Sequence, residues 1–422
     1  MDNVQPYISL VVTARNDDHG GNLLGRMQIF VNGWIDQCRR HSLSSELIIV
    51  EWNPPPDRPR LRDALRWPED FGACRVRFIE VPGELHRRYA HADALPLYQM
   101  IAKNVGIRRA HGLFILATNI DILFSSELVA FLAERQLEPG RMYRVDRYDA
   151  MGEVPLEASL DEQLEYCKSH VLRINSLTGT VATSPTGRPE PESSSKRVVI
   201  LWRQLQGVIH RLASEGRLVT VTFPVSPTVK RAARFYLRWG GLIGMTRNAG
   251  RLLLGKRPLR KTAAADQSSP EIESLPKFEF LHTNGCGDFT LAARQHWFDL
   301  RGYPEFDLFS MNIDSVFCYA AHYGGAREEV LPEPMRIYHI EHATGSGWTP
   351  EGQDQLFKRI AAKGLGFVSY GDVIGWAEQM RRLNCTMIFN HEDWGLADFD
   401  LVETEPIPAP ALDAVRASAD RA

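Results

Sequence analysis

Residues 7–14 read Tyr-Ile-Ser-Leu-Val-Val-Thr-Ala and run straight into the polar turn Arg15, Asn16, Asp17, Asp18. A run with almost no polar face cannot border solvent, which places it inside a parallel sheet covered on both sides. The rhythm then repeats. Apolar residues at Leu24, Met27, Phe30, Val31 and Trp34 have helical spacing, 46–51 is a second strand stopped by the triple proline 54–56, and 76–81 is a third. A helix is predicted over 96–110 and a fourth strand over 113–117, ending in Thr118, Asn119, Ile120, Asp121. Alternating strands and helices predict βαβ units with right-handed crossovers, hence an α/β fold with a Rossmann-like, mostly parallel sheet flanked by helices. Ligands on such sheets bind beyond the carboxyl ends of the strands. Three polar clusters fall at those ends, at 15–17, 51–53 and 119–121.

After a strand at 142–146 the composition changes. Residues 176–196 are rich in Ser, Thr, Pro and Gly and read as a linker, and 262–276 form a second one. Between them, 196–261 carry fifteen Lys or Arg against Glu215 alone, a net charge of +14 in a chain whose total is −3. Leu201, Leu205, Val208 and Leu212 have helical spacing, and Lys230, Arg234 and Arg238 share a face, so the segment is expected to be a basic helical insertion. Such charge points at an anionic partner, or packs against the acidic remainder of the fold. The globular pattern resumes at 278, with helices predicted at 291–300 and 311–323 around the turn Gly302-Tyr-Pro, then the run Ile337-Tyr-His-Ile-Glu-His. From 346 a helical C-terminal tail is expected to about 382, followed by a frayed Pro/Ala-rich end.

Hydrophobic residues make up 44% of 422, enough for a sizeable core, which excludes whole-chain disorder. No stretch approaches the roughly 18–20 apolar residues of a membrane span, and the acidic start lacks a basic region followed by an apolar one, so a cytoplasmic protein is expected. The six cysteines form no Cys-x-x-Cys pair and are expected as buried thiols.

Several groups carry candidate chemistry. Asn119 and Asp121, two residues apart past a strand, offer hard oxygens to Mg²⁺ or Mn²⁺, or form a strand-end turn capping the helix that starts near Ser125. His339, Glu341 and His342 follow an apolar run and could complete a metal site begun by Asp121, or be surface residues of a β-edge. Asp314 stands near a predicted helix start, where the dipole keeps a carboxylate ionised as a general base or merely as a first-turn acid. Gly285, Gly287 and Asp288 make a tight turn suited to close ligand approach or simply a β-turn. The dinucleotide, P-loop, nucleophile-elbow and zincin motifs are absent, which removes the corresponding enzyme classes.

The order of these pieces resembles an inverting glycosyltransferase of the GT-A fold, close to the bacterial family 2 type. The resemblance covers about 7–150 and 278–345. It matches the first strand and its turn (Val11-Val-Thr-Ala-Arg-Asn-Asp), the acid Glu51 ending the second strand, and Ala102-Lys-Asn-Val-Gly-Ile-Arg-Arg-Ala-His-Gly. It continues with Asn119-Ile120-Asp121 in place of Asp-x-Asp, Gly302-Tyr-Pro-Glu, Asn312-Ile-Asp314 and a late histidine. It departs from the family pattern at Asn119 and Ile313, where acids are commoner.

The resemblance implies a donor-binding half at 1–175, an insertion at 176–276, an acceptor and catalytic half at 277–345 and an extension at 346–422. It implies donor contacts from Thr13, Ala14, Arg15, Asn16, Glu51, Asn104, Arg108, Asn119 and Asp121, acceptor contacts from Gly287 and Asp288, a metal (Mn²⁺ or Mg²⁺) on Asp121 with His339 or His342, and Asp314 as base. The expected activity is transfer of a sugar, of hexosyltransferase type, from a nucleotide-sugar to a glycan or lipid-linked hydroxyl, as in polysaccharide biosynthesis. The insertion, with Trp202, Phe235, Tyr236, Trp239 and 252–254, would let the protein sit peripherally on the anionic inner face of a membrane. Its apolar residues read as buried helix faces, which argues against nucleic acid. A catalytically silent scaffold with the same fold is the competing reading.

Overall fold

The computed structural model describes residues 5–183, 278–342, 349–406 and 408. The basic segment 196–261 and the polar linker 262–276, with the expectations attached to them, lie outside the described residues.

The main sheet begins with β1 (Ile8–Ala14), β2 (Ser45–Trp52), β3 (Cys74–Val81) and β4 (Phe114–Ala117), all parallel in the spatial order β3-β2-β1-β4. Every residue of β1 is buried because it feeds two cores at once. Val11 packs with Ile48, Val50 and Ile79 on one face, and Leu10 and Val12 pack with Leu47, Ile49 and Leu116 on the other. Helix α1 (Leu23–His41) lies on the second face through Met27, Phe30 and Trp34, and α4 (Gln99–Arg108) on the first through Ile101 and Val105. The chain enters two short helices on the way, α2 (Leu61–Ala64) and α3 (Gly83–His86).

Beyond β4 the sheet continues through β10 (Thr290–Ala293), β6 (Arg141–Arg144) and β11 (Arg327–Val330). Strand β10 runs antiparallel to both of its neighbours. A helix predicted over 291–300 is therefore a strand followed by the short α7 (Arg294–Asp299), because Leu291 and Ala292 are needed to bridge β4 and β6. At the far edge β13 (Val402–Thr404) pairs antiparallel with β3, where a frayed end is expected from composition. Three residues reading Val-Glu-Thr carry no periodicity to announce a strand. What holds them is Arg77, whose guanidinium reaches Glu403 at 2.6 Å and the buried Glu46 at 2.8 Å.

A second sheet has the order β5-β12-β7-β8-β9, with β5 (Ile122–Phe124), β12 (Arg336–Ile340), β7 (Asp146–Ala150), β8 (Val171–Ser176) and β9 (Gly179–Ala182). Helix α5 (Ser126–Ala133) starts on a Ser125 cap and α6 (Leu160–Ser169) on a Ser159 capping box. Helix α8 (Ile313–Tyr323) packs beside the first face, and the tail folds as α9 (Gln353–Ala362) and α10 (Tyr370–Leu383), helical as expected. Five cysteines are buried, as expected, whereas Cys385 is exposed. No described helix is long and apolar enough to cross a membrane.

Candidate functional site

The carboxyl ends of β1 and β4 lie side by side, with Val11 opposite Ala117. Past that end, Thr118 is held by its N–H on the Val11 carbonyl at 3.0 Å and its hydroxyl on the Asp288 carbonyl at 2.6 Å. The chain then turns into β5, and Asp121 sits in that connection. Ser125, not Asn119 or Asp121, caps the following helix. Strand β12 pairs antiparallel with β5 so that His339 faces Ile122, and the Ile340 N–H donates to the Asp121 carbonyl at 2.8 Å. This pairing carries two histidines to a carboxylate about 220 residues earlier in sequence.

Asp121 Oδ2 lies 3.2 Å from His342 Nε2, 3.8 Å from His339 Nε2 and 3.2 Å from Arg26 Nη1. Its other oxygen, Oδ1, is buried without a hydrogen-bond partner. Burial alone would raise the Asp121 pKa, but His339, His342 and Arg26 outweigh it and hold the carboxyl well below the usual carboxylate range. Burial likewise opposes the charge on His339, yet Asp121 and Asp149 together raise its pKa. Asp121, His339 and His342 offer ligand atoms that all lie within 4.8 Å of one another. One carboxylate and two imidazoles, with an unpaired buried oxygen among them, could hold a divalent metal ion.

His339 is oriented from behind. Its Nδ1 is 3.5 Å from Asp149 Oδ1, and Asp149 is itself gripped by Arg147 at 2.8 Å, Arg173 at 2.9 Å and Asn175 at 3.1 Å. Burial would push Asp149 up, but Arg147 leads the groups that keep it far below its ordinary range. A carboxylate behind a ligating histidine fixes which ring nitrogen faces the metal. Arg173 also pairs with Glu341, which occupies that residue on the arginine. No motif marks Arg26, Arg147, Asp149 or Arg173 in the sequence. The available signals are period-two spacing in Asp146-Arg-Tyr-Asp and one arginine on the largely apolar buried face of α1.

The network extends into the turn at 285–288. Arg147 Nη1 reaches Asp288, Asn119 Nδ2 donates to the same carboxylate, and Gln99 Nε2 donates to Asn119 Oδ1 at 2.8 Å. Lys103 is fully buried on α4 and donates to the Gly287 carbonyl at 2.8 Å. Burial pushes its ammonium down to about 8, against the pull of Asp288, Asp314 and Asp121. Asp314 stands in the first turn of α8, and its Oδ1 accepts from the Ser315 N–H at 2.9 Å. Burial raises its pKa, partly offset by a hydrogen bond from Cys286. A Cβ at position 287 would come 2.8 Å from Asp314 Oδ2, so only glycine leaves that approach open. Asp121, His339, His342, Asn119, Gly287, Asp288 and Asp314 are thus linked through one polar cluster.

Other candidates are placed differently. Thr13 donates to the Val50 carbonyl, Ala14 pairs with Glu51, Arg15 donates to the Asn53 carbonyl at 2.7 Å, and Asn16 donates to the Pro59 carbonyl at 2.9 Å, all at the ends of β1 and β2. Three more are turned into the fold. Asn104 clasps the Gly302 turn, accepting from the Tyr303 N–H and donating to its carbonyl, both at 2.8 Å. Arg108 donates to the Glu392 carbonyl and lies 5.0 Å above the Trp394 ring.

Both oxygens of buried Glu51 accept from the Leu61 N–H, at 3.0 and 3.1 Å, so this carboxylate starts α2. Burial raises its pKa to about 7, the Leu61 bond opposing. A raised carboxyl stabilises the fold fully below the unfolded value near 4.5 and loses that contribution as pH climbs to 7. The cost of ionising it in place is roughly 3 kcal/mol. Urea unfolding of wild type and Glu51→Gln at pH 5 and pH 8 is expected to show the variant gaining roughly 2–3 kcal/mol relative to wild type at the higher pH. An unchanged difference would show that Glu51 ionises at an ordinary pH.

No known protein family and no curated protein matches the chain. Fifty-one chains of solved structures do match. Among them is the crystal structure of GalNAc-T7 with UDP, GalNAc and Mn²⁺, with 12% identity and a TM-score of 0.37 over 93% of this chain and 54% of that one. The chain spans about half the length of that neighbour.

Proposed function

We propose that this protein is a metal-assisted glycosyltransferase of the GT-A type that moves a sugar from a nucleotide-sugar donor to a hydroxyl acceptor with inversion. The observation that carries the reading is the meeting of Asp121 with His339 and His342 at the carboxyl end of β4, with Asp121 Oδ1 buried and unpaired. Asp121, His339 and His342 would hold Mn²⁺ or Mg²⁺, which when bound neutralises charge on the departing diphosphate. The ends of β1 and β4, from Thr13 to Asn16 and at Asn119, form the donor side. Gly287 and Asp288 face the acceptor.

Asp314 takes the proton of the acceptor hydroxyl, and the freed oxygen forms a bond to the anomeric carbon. The carbon–oxygen bond to the diphosphate breaks, and its electron pair leaves with the nucleoside diphosphate. The acceptor would be a glycan or lipid-linked precursor, with 196–261 on an anionic membrane. Flotation with anionic liposomes, comparing the whole chain with one lacking 196–261, tests that part, and a chain that stays in solution in both forms rejects it.

Asn119 favours the second reading, a silent scaffold, because an amide stands where the resemblance expects an acid, and it is committed to Asp288. A panel of UDP-, GDP-, dTDP- and CMP-sugars, with and without Mn²⁺, separates the two. The transferase reading expects one donor class to raise Tm in a metal-dependent way and to be slowly hydrolysed. No shift and no hydrolysis with any donor would leave the scaffold.

A further inference from the structure

At the opposite end of the main sheet from Asp121, where β2 and β3 begin, two thiols meet. Cys74 opens β3 beside Ser45, its register partner in β2. Cys38 comes from the last turn of α1, and its Sγ lies 3.1 Å from the Ser45 hydroxyl. The backbone holds both in place. The Leu43 N–H donates to the Cys38 carbonyl at 3.0 Å, and the Ser45 N–H donates to the Ala73 carbonyl at 3.1 Å. The Cys38 thiol donates to the Cys74 sulfur. The buried indole N–H of Trp34, which has no other partner among the described residues, is turned toward the same sulfur.

The two sulfurs are not equivalent. Cys74 accepts from Cys38 above all, then from Ser45 and Trp34, and these donors lower its pKa although burial opposes them. Burial, and then donation to Cys74, pushes the Cys38 thiol well up. Access favours Cys74 as well, because Cys38 is fully buried whereas Cys74 sits directly behind the exposed Gly72 and Ala73. A second pair of neighbouring thiols has the opposite character. Cys286, 3.5 Å from the Ser315 hydroxyl, is pushed well up by burial, then by a hydrogen bond with Cys318 and by the carboxylate of Asp314.

We propose that Cys38 and Cys74 form a dithiol oxidised by hydroperoxides, with Cys74 as the attacking sulfur and Cys38 as the resolving one. The Cys74 thiolate attacks one oxygen of the peroxide, the O–O bond breaks with its electron pair on the other oxygen, and a sulfenic acid results. Cys38 then forms the S–S bond, and the hydroxyl of the sulfenic acid leaves with the Cys38 proton as water. Two thiols lose two electrons and two protons, and hydrogen peroxide is reduced to two waters. The product ties the end of α1 to the start of β3, and a dithiol reductant reverses it. This site is independent of the metal and sugar-transfer readings.

The test treats the reduced full chain with hydrogen peroxide for long enough to oxidise the exposed Cys385, alkylates the remaining thiols under denaturing conditions and maps the peptides by mass spectrometry. Wild type is expected to gain one Cys38–Cys74 disulfide, removed by dithiothreitol, at least about tenfold faster than Cys286 or Cys318 is oxidised. Cys38→Ser is expected to stop at the sulfenic acid, trapped on Cys74 by dimedone, whereas Cys74→Ser leaves Cys38 as a free thiol. Cys38 and Cys74 both alkylated after the treatment overturns the proposal, as does oxidation of Cys286 and Cys318 at the same rate. Dimedone found on Cys38 in Cys74→Ser overturns the assignment of roles. If either variant does not fold, the wild-type map decides alone.

Discussion

Asp121→Ala is expected to abolish every metal-dependent thermal shift with nucleotide-sugars and to lower turnover by at least about a thousandfold. The carboxylate is the one anionic member of the ligand set, and His339 and His342 alone would leave two neutral imidazoles to hold a hard cation. The same substitution carries a stability cost that must be separated from the loss of function. Arg26 would be left as a buried guanidinium with no carboxylate, a situation that typically costs about 3–5 kcal/mol. Urea unfolding of Asp121→Ala, alone and combined with Arg26→Met, measures that part, since the double variant removes the stranded charge and should recover much of the loss. A metal-dependent shift that survives in a folded Asp121→Ala would place the cation elsewhere.

Asp314→Asn is expected to reduce turnover by about a hundred- to ten-thousandfold while donor affinity stays within about twofold of wild type. The amide keeps the size of the side chain and its acceptor for the Ser315 N–H, so α8 should start unchanged. The pH profile gives an independent check. Burial raises the carboxyl of Asp314, and a base works only when ionised, so wild-type turnover should climb with pH along an acid limb above the ordinary aspartate range. That limb should vanish in Asp314→Asn. Above about pH 8 Lys103 loses its proton, which removes a positive neighbour of Asp314 and raises the aspartate further. Wild-type turnover in the folded variant would assign the base to another group.

The parallel strands were legible in the sequence because a strand covered on both faces shows an unbroken apolar run, as in β1 and β2. Strand β10 was not, since its small apolar residues sit directly before helix α7 and read as the helix's first turn. In the candidate site, Asp121 and the two histidines stood out because each follows an apolar run, and Asp314 because it opens a predicted helix. The meeting of Asp121 with the histidines was carried by the resemblance alone, because residue pattern cannot show that β12 enters the sheet between β5 and β7, a pairing between distant segments. Glu51 and Asn104 illustrate the opposite problem. A polar residue at a strand end or on a helix looks the same in sequence whether it faces a ligand or, as here, the N–H groups of Leu61 and Tyr303.

The way β10 and β12 insert between strands of the earlier segment bears on how the protein can be divided. Strand β10 separates β4 from β6, and β12 separates β5 from β7, so 5–183 and 278–342 complete one another's sheets. A backbone cut between residues 183 and 278 would yield two pieces, neither of which has a closed set of strand partners. Each should be insoluble when produced alone. Produced together, the two pieces should reassemble as a split protein, with Asp121 on one and His339 and His342 on the other. Mn²⁺ uptake would then report reassembly directly.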